Sequence, residues 1–145
     1  MATQIAMYPQ SIIPLIVTLQ SNGVAASTTD FISPVGMFSA DAIEVQRAIV
    51  IPRNGIISGL QVCTNSVQSS TGSLVFTYRI GTFNGAMANT PLTITIPASA
   101  PIGVYSAVGS FIYTAGQAIS ISVQNNATAA SATTTSIYSE FLGAR

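Results

Sequence analysis

The side chains that could carry out catalytic chemistry are few in this sequence. Its acids are Asp30, Asp41, Glu44 and Glu140, its one cysteine is Cys63, and it contains no histidine and no lysine. Without histidine, a histidine-based triad, an imidazole general base and the commonest metal ligand are all excluded. One cysteine alone does not make a zinc site. We therefore predict that the protein is not an enzyme and uses no metal or other cofactor.

The four carboxylates also fit poorly with metal-independent hydrolysis of sugars. A glycosidase needs two carboxyl groups about 5 to 9.5 Å apart. Asp41 and Glu44 are near in sequence, but they lie beside Arg47 at the start of a predicted strand. Salt bridges or a solvated edge are the expected roles of these two acids. Calcium would require several clustered carboxylates, which the sequence lacks.

The basic residues do not predict binding to nucleic acid. They are Arg47, Arg53, Arg79 and Arg145, spread along the chain, and no GxxxxGK[ST] phosphate-binding loop is present. A nucleic-acid surface requires a cluster of basic side chains. We therefore expect no direct contact with a genome.

Composition indicates a folded protein that lives in contact with other proteins. Only 6% of the 145 residues are charged and the net charge is zero, whereas an average soluble domain has about 25% charged residues. The hydrophobic fraction of 48% is too high for a disordered chain. A monomer with so few charges lacks the electrostatic repulsion that keeps proteins apart in solution. We expect it to pack against copies of itself or against partners, as a single domain.

No segment predicts insertion into a membrane or export. The stretch "IIPLIVTL" is too short and too interrupted by proline to span a bilayer. The first residues, "MATQIAMYPQ", lack the positive charge that begins a secretory signal. We expect no membrane partner, and synthesis in the cytoplasm without a signal peptide.

The elements that must position these residues are β-strands, because apolar residues recur with a period of two. "EVQRAIVI" from Glu44 to Ile51 is interpreted as a strand, followed by a "PRNG" turn. Further strands are predicted at "IISGLQVCTN", "SLVFTYRI", "PLTITIP", "PIGVYSAVGSFIYTAGQ" (one or two shorter strands), "AISISVQN" and "TTSIYSEF". About seven strands at this spacing are typical of an antiparallel sandwich or barrel. The predicted core residues are Leu60, Val62, Phe76, Tyr78, Ile94, Ile96, Ile119, Ile121, Val123 and Phe141.

The N-terminal region, residues 1–42, has a different pattern and two interpretations. It is either an extended arm or a first strand at Ile12 to Leu19 followed by a linker, and the folded domain is assigned to residues 43–145. Exposed apolar residues of an arm need a surface against which they can be buried. The predicted interface residues are Ile12, Ile13, Leu15, Ile16 and Val17, with Phe31 and Phe38 behind them.

Serine and threonine alternate with isoleucine between residues 117 and 141. Such a strand face suits close contact between subunits, where hydroxyls bond across strands. An ordinary solvent-facing surface in a protein that uses few charges is the alternative.

The order of motifs from Gly55 to Phe141, about 90 residues, resembles jelly-roll domains in virion structural proteins of tailed bacteriophages. The motifs are "FTYRIGTFNG", "LTITIPASA", "YTAGQAISISVQNNA" and "SIYSEF", and Gln117 stands where the pattern has an acid after the Ala-Gly turn. The layout is also similar to trimeric heads of the tumour-necrosis-factor type and to spore-surface glycoprotein heads.

The resemblance implies an all-β antiparallel jelly-roll sandwich that forms a homotrimer. It implies a virion location, as a decoration or cement protein on the capsid surface, with the major capsid protein or another virion protein as partner. The alternative is a fibre, neck or tail head domain that binds a host receptor such as a glycan. A cellular surface or spore-coat module is a third interpretation.

Overall fold

Strands account for nearly all the regular structure of the described residues. The computed structural model describes residues 12–17, 24–35 and 41–143. Within these ranges nine strands and one short 3-10 helix, Glu44–Gln46, are present. The strands are β1 (Ile12–Val17), β2 (Thr29–Ile32), β3 (Ile49–Val50), β4 (Gly55–Thr64), β5 (Leu74–Gly81), β6 (Met87–Ile96), β7 (Gly103–Tyr113), β8 (Ala118–Asn125) and β9 (Thr134–Gly143).

The strands form two antiparallel sheets that face each other across one core. One sheet has the order β1-β9-β4-β7, and the other has the order β2-β8-β5-β6 with β3 also paired to β8. The chain passes from one sheet to the other after β1, β3, β4, β6, β7 and β8, so sequence neighbours often lie in opposite sheets. The strand pattern predicted a sandwich or barrel, and this is the jelly-roll sandwich that the family resemblance implied.

The core is built from the inward-facing residues of both sheets. Nine of the ten predicted core residues are buried, and the tenth, Phe141, is half-buried and packs against the core. Tyr78 and Phe111 contact each other across it, with ring centres 5.5 Å apart and planes tilted by 49°. The alternating apolar pattern therefore identified the buried face of the central strands.

The strand predicted from Glu44 to Ile51 is wrong over most of its length. Glu44–Gln46 forms a 3-10 turn, and only Ile49 and Val50 are in a strand. The carbonyl of Glu44 accepts hydrogen bonds from the backbone N–H groups of Arg47 and Ala48, both at 2.9 Å. The Glu44 side chain is also hydrogen-bonded to the neighbouring sheet. Tertiary contacts have overridden a pattern that is typical of a strand.

The serines of β8 are buried within their own chain. Ser120 is completely buried, and its hydroxyl donates to Glu44 Oε1 at 2.6 Å. Ser122 is buried and donates to the backbone carbonyl of Thr77 at 3.3 Å. The interpretation of this serine face as a subunit contact is therefore wrong for β8, because the segment around Glu44 covers it.

Part of the N-terminal region pairs with the sandwich. β1 pairs with β9, and β2 pairs with β8. Val24 and Ile32 are buried in the core cluster. Residues 12–17 therefore form a strand, as the second interpretation of the N-terminal region predicted. The domain boundary at residue 43 stays a prediction.

Candidate self-association surface

The outward side of the sheet β1-β9-β4-β7 carries exposed, large apolar residues. Val108 is 103% exposed, Ile112 74% and Val104 63%, all on β7. Ile102, directly before β7, is 59% exposed, and Ile56 on β4 is 36% exposed. We call these five residues the apolar face. Single exposed apolar residues are ordinary, whereas a group on one sheet face marks an interaction site.

The local sequence of β7 explains why these side chains point outward. In "GVYSAVGSFIY" both faces of the strand carry apolar residues, because Phe111 and Tyr113 fill the core while Val104 and Ile112 alternate with them on the other side. Ile112 pairs with Ile56 of β4. β7 is also at the edge of its sheet. These residues were not among the predicted interface residues. The sequence shows that both faces of this strand are apolar, whereas the position of the strand at a sheet edge is visible only in the structure.

A β-bulge interrupts the pairing of β4 with β7 in the middle of this surface. The register shifts between Ser58 and Leu60, and Gly59 has a φ of +64°. Bulges bend a strand and redirect the side chains next to them. A cavity of about 340 Å³ lies here. Its lining residues are Ser58, Gly59, Leu60, Gln61, Ser106, Ala107, Val108, Gly109, Tyr138 and Glu140.

One carboxylate stands in this otherwise uncharged surface. The Ser58 hydroxyl lies 3.4 Å from Glu140 Oε2, and the Tyr138 hydroxyl lies 3.5 Å from Glu140 Oε1. The ion pairs of Arg47 with Asp41 and of Arg79 with Glu44 lie outside the lining of the cavity. Among the described residues, Glu140 is the only charged residue that lines it.

Part of the opposite sheet, around Arg79 and Ser120, is covered by a segment that we call the strap, residues 41–48. Arg79 of β5 donates from Nε to Glu44 Oε1 at 2.5 Å and from Nη1 to Asn89 Oδ1 at 2.7 Å. Its guanidinium also lies 5.7 Å from the centre of the Phe31 ring. Arg47 pairs with Asp41 at 3.1 Å. The prediction of salt bridges for Asp41 and Glu44 is confirmed, with Arg79 as the partner of Glu44.

The interface residues predicted in the N-terminal region are placed only in part. Ile12, Ile13, Leu15, Ile16 and Val17 lie in β1, whose backbone pairs with β9. Phe31 is half-buried beneath Arg79, and Phe38 lies outside the described residues. A role for these seven residues in an interface stays a prediction.

A second, smaller cleft lies between the strap and the hairpin that joins β5 to β6. Its volume is about 220 Å³, and its lining residues are Glu44, Val45, Ala48, Asn84, Gly85 and Met87. Phe83 at the hairpin tip is 44% exposed, and Asn84 has a φ of +60°. The cleft therefore combines apolar walls with a carboxylate and an amide.

Gln117, at the position where the phage pattern has an acid, closes the turn between β7 and β8. Its side-chain Oε1 accepts a hydrogen bond from the backbone N–H of Thr114 at 2.7 Å. Its own N–H donates to the Thr114 carbonyl at 3.1 Å. The adjacent Gly116 has a φ of +87°, a conformation that favours glycine. In this structure Gln117 therefore stabilises a turn.

Neither a metal cluster nor a spanning helix is found in the described part of the chain. Residues 12–17, 24–35 and 41–143 contain no group of three or more histidine, cysteine or acidic residues that could hold a metal ion. Over the same residues, no helix has the length and apolar character needed to cross a membrane. Cys63 is only partly buried.

The comparisons with known proteins show the fold. No model of a protein family matches the sequence, and no curated protein sequence matches it significantly. Among solved structures, the globular domain of the zebrafish complement 1qA protein is similar, with a TM-score of 0.52 and 12% identity over 94% of this chain and 98% of that one. Eiger TNF from S. frugiperda gives a TM-score of 0.49 and 10% identity over 92% and 93% of the two chains. The chain therefore has a jelly-roll fold of the kind seen in the complement 1qA domain.

Proposed function

We propose that this protein is a structural module that associates with copies of itself into a homotrimer and has no enzymatic activity. The observation that carries this proposal is the apolar face, with Val108, Ile112 and Val104 all more than 60% exposed on one edge strand. The layout that resembles trimeric heads of the tumour-necrosis-factor type supports three copies in particular.

Burial of the apolar face provides a driving force for association. Removing apolar surface from water contributes about 25 cal/mol per Å². The described surface around the cavity presents one charge, that of Glu140, so a partner that docks there must be apolar and nearly uncharged. The same face of another copy meets both requirements. Self-association also explains how a chain with 6% charged residues and no net charge avoids indiscriminate aggregation, because its apolar face is then occupied.

Within this function, our proposed location is the surface of a bacteriophage capsid, where the trimer acts as a decoration or cement protein in contact with the major capsid protein. The resemblance of Gly55 to Phe141 to virion jelly-roll domains supports it. The low charge supports it too, because contacts in a protein lattice bury apolar and small polar surface.

Copy number in purified particles tests the location. Quantitative mass spectrometry of virions, with the major capsid protein as internal standard, is expected to give a ratio approaching one chain of this protein per capsid chain. A few to a few tens of copies per particle would place the protein at the neck, tail or vertices. Absence from the particle would contradict a virion function altogether.

A receptor-binding head is the second candidate, and the cleft beside Phe83 favours it. Phe83, which is exposed, directly precedes Asn84, and Asn84 lines the cleft together with Glu44, so this region offers apolar contact and hydrogen-bonding groups to a host glycan. Replacement of Phe83 by serine is expected to abolish binding on a glycan array under this hypothesis. Equal binding by F83S, or no binding by the unmodified protein, would contradict it.

A further inference from the structure

We infer that Val108 of one copy inserts into the cavity at the β-bulge of another copy, so that the central contact of the assembly is a side chain inserted in a socket. The inference rests on the proposed self-association and names the contact that drives it. Its basis is the pairing, on one surface, of a cavity of about 340 Å³ and a valine that is 103% exposed.

The socket exists because the residues around the bulge are small. Gly59 has φ +64°, and a Cβ built there would meet no atom within 4 Å. Gly109, Ser58 and Ser106 also lie in the lining. The wall is therefore open where larger side chains would have closed it. Leu60 and Ala107 lend apolar character to the lining.

Val108 has the position and the chemistry of the occupant. It lies opposite the register shift in β4, between the paired residues Ala107 and Ser110. A side chain that projects fully into solvent gains the most from burial, and valine brings no polar group that would require a partner. Valine also loses little conformational freedom when it is buried, because its one side-chain torsion is already restricted.

Val108 and the cavity lie on one surface patch, so that either a twofold or a threefold axis can bring the side chain of one copy against the cavity of another. A residue adjacent to its own socket meets an equivalent socket when the copies are arranged around a nearby rotation axis. Insertion of each Val108 into the next copy is a heterologous contact, and a threefold rotation closes it into a ring. The contact is thus consistent with a trimer.

The occupant is a second copy because of the charge pattern as well. The one charged residue in the lining is Glu140, with the hydroxyls of Ser58 and Tyr138 next to it. An acidic partner would be repelled by Glu140. A partner with several basic residues would find only this one carboxylate, and its other charges would be buried without a counter-charge. The segment around Val108, "SAVGS", carries no charge and meets neither difficulty.

Sedimentation velocity over a range of concentrations tests the inference, with the full chain and three variants. Val108→Asp places a charge in the socket and is expected to raise the dissociation constant at least about a hundredfold. Val50→Asp, at a valine that is 49% exposed in β3 of the other sheet, is the matched control and is expected to leave association unchanged. Gly59→Asn fills the socket with a residue that tolerates positive φ and is expected to weaken association more than about tenfold.

Each outcome has a distinct meaning, provided that thermal melting shows the variants to be folded. Unchanged association of Val108→Asp would overturn the inference while leaving self-association intact. Loss of association by Val108→Asp with no effect of Gly59→Asn would also overturn it, because Val108 would then make contact elsewhere. Equal loss in Val50→Asp would show a nonspecific effect of charge and overturn it as well. A monomeric unmodified protein at all concentrations would contradict the proposed function itself.

Discussion

Replacement of Tyr78 by phenylalanine probes the centre of the core. Tyr78 is completely buried, and its hydroxyl has no hydrogen-bond partner within bonding distance among the described residues. Burial raises the pKa of Tyr78 from 10.0 to about 12, and the nearby Ser139 hydroxyl opposes this rise to a smaller extent. A buried polar group without a partner costs about 1 to 3 kcal/mol. We therefore expect Tyr78→Phe to keep or raise the free energy of unfolding at pH 7, by about 1 kcal/mol.

The same substitution changes the response to alkali. Below about pH 10 the phenol is neutral in both the folded and the unfolded chain, so it adds no pH dependence. Above pH 10 the unfolded chain releases its proton first, because the pKa in the folded chain is about 12. Stability then falls until the folded-state pKa is passed, by about 3 kcal/mol for a difference of two pKa values. Tyr78→Phe is expected to remove this part of the alkaline loss.

Guanidinium unfolding followed by circular dichroism measures both effects, at one fixed protein concentration because association shifts apparent stability. Tyr78→Leu is the control for packing. It loses the ring contact with Phe111 and is expected to cost about 2 to 4 kcal/mol at pH 7. A loss of more than about 1 kcal/mol in Tyr78→Phe at pH 7, or an unchanged alkaline limb, would refute the account of the buried hydroxyl.

Three further outcomes are expected from the strap, a glycine and the carboxylate of the cavity. Arg79→Met is expected to lower the free energy of unfolding by about 2 kcal/mol, because it leaves half-buried Glu44 without its ion-pair partner. The control Arg53→Met, at an exposed arginine, should alter the free energy of unfolding by less than about 0.5 kcal/mol in chemical denaturation. Gly55→Ala is expected to lower the free energy of unfolding by more than about 2 kcal/mol in the same assay, because its Cβ would collide with Tyr113 and with the Leu142 carbonyl. The control is Gly103→Ala, whose Cβ would meet no atom within 4 Å, and it should be nearly neutral. Glu140→Gln removes the one charge from the described lining of the cavity and is expected to strengthen association in sedimentation, because burying a charged group is more costly than burying a neutral one. Weaker association of this variant would contradict burial of the carboxylate in the contact.

The strands and the core could be predicted from the sequence because their pattern is local. In "PLTITIP", Leu92, Ile94 and Ile96 alternate with threonines, and all three are buried while the threonines between them are exposed. Such alternation places one set of side chains on one face whatever the rest of the chain does. This is why the sandwich was accessible from the sequence.

The strap and the bulge were not accessible because they depend on distant residues. Glu44 leaves the predicted strand for hydrogen bonds with Arg79 and Ser120, which are 35 and 76 positions away. The bulge at Gly59 is defined by pairing with a strand more than 40 residues further on. No pattern within a short window contains this information.

The exposure of the apolar face was missed for a different reason. Val104 and Ile112 match the composition of a strand buried on both faces, and the sequence alone does not say which sheet edge stays uncovered. The order β1-β9-β4-β7 leaves β7 without a neighbour on one side. The interface residues predicted in the N-terminal region and those on β7 are therefore separate hypotheses, which truncation of residues 1–20 and substitution of Val108 can distinguish.

The central claim is that this chain associates with itself, and its mass in solution tests this claim most directly. Sedimentation equilibrium of the purified protein at micromolar concentration is expected to give a mass three times that of the 14.9 kDa chain, with dissociation on dilution. A mass of one chain at every concentration would contradict the account.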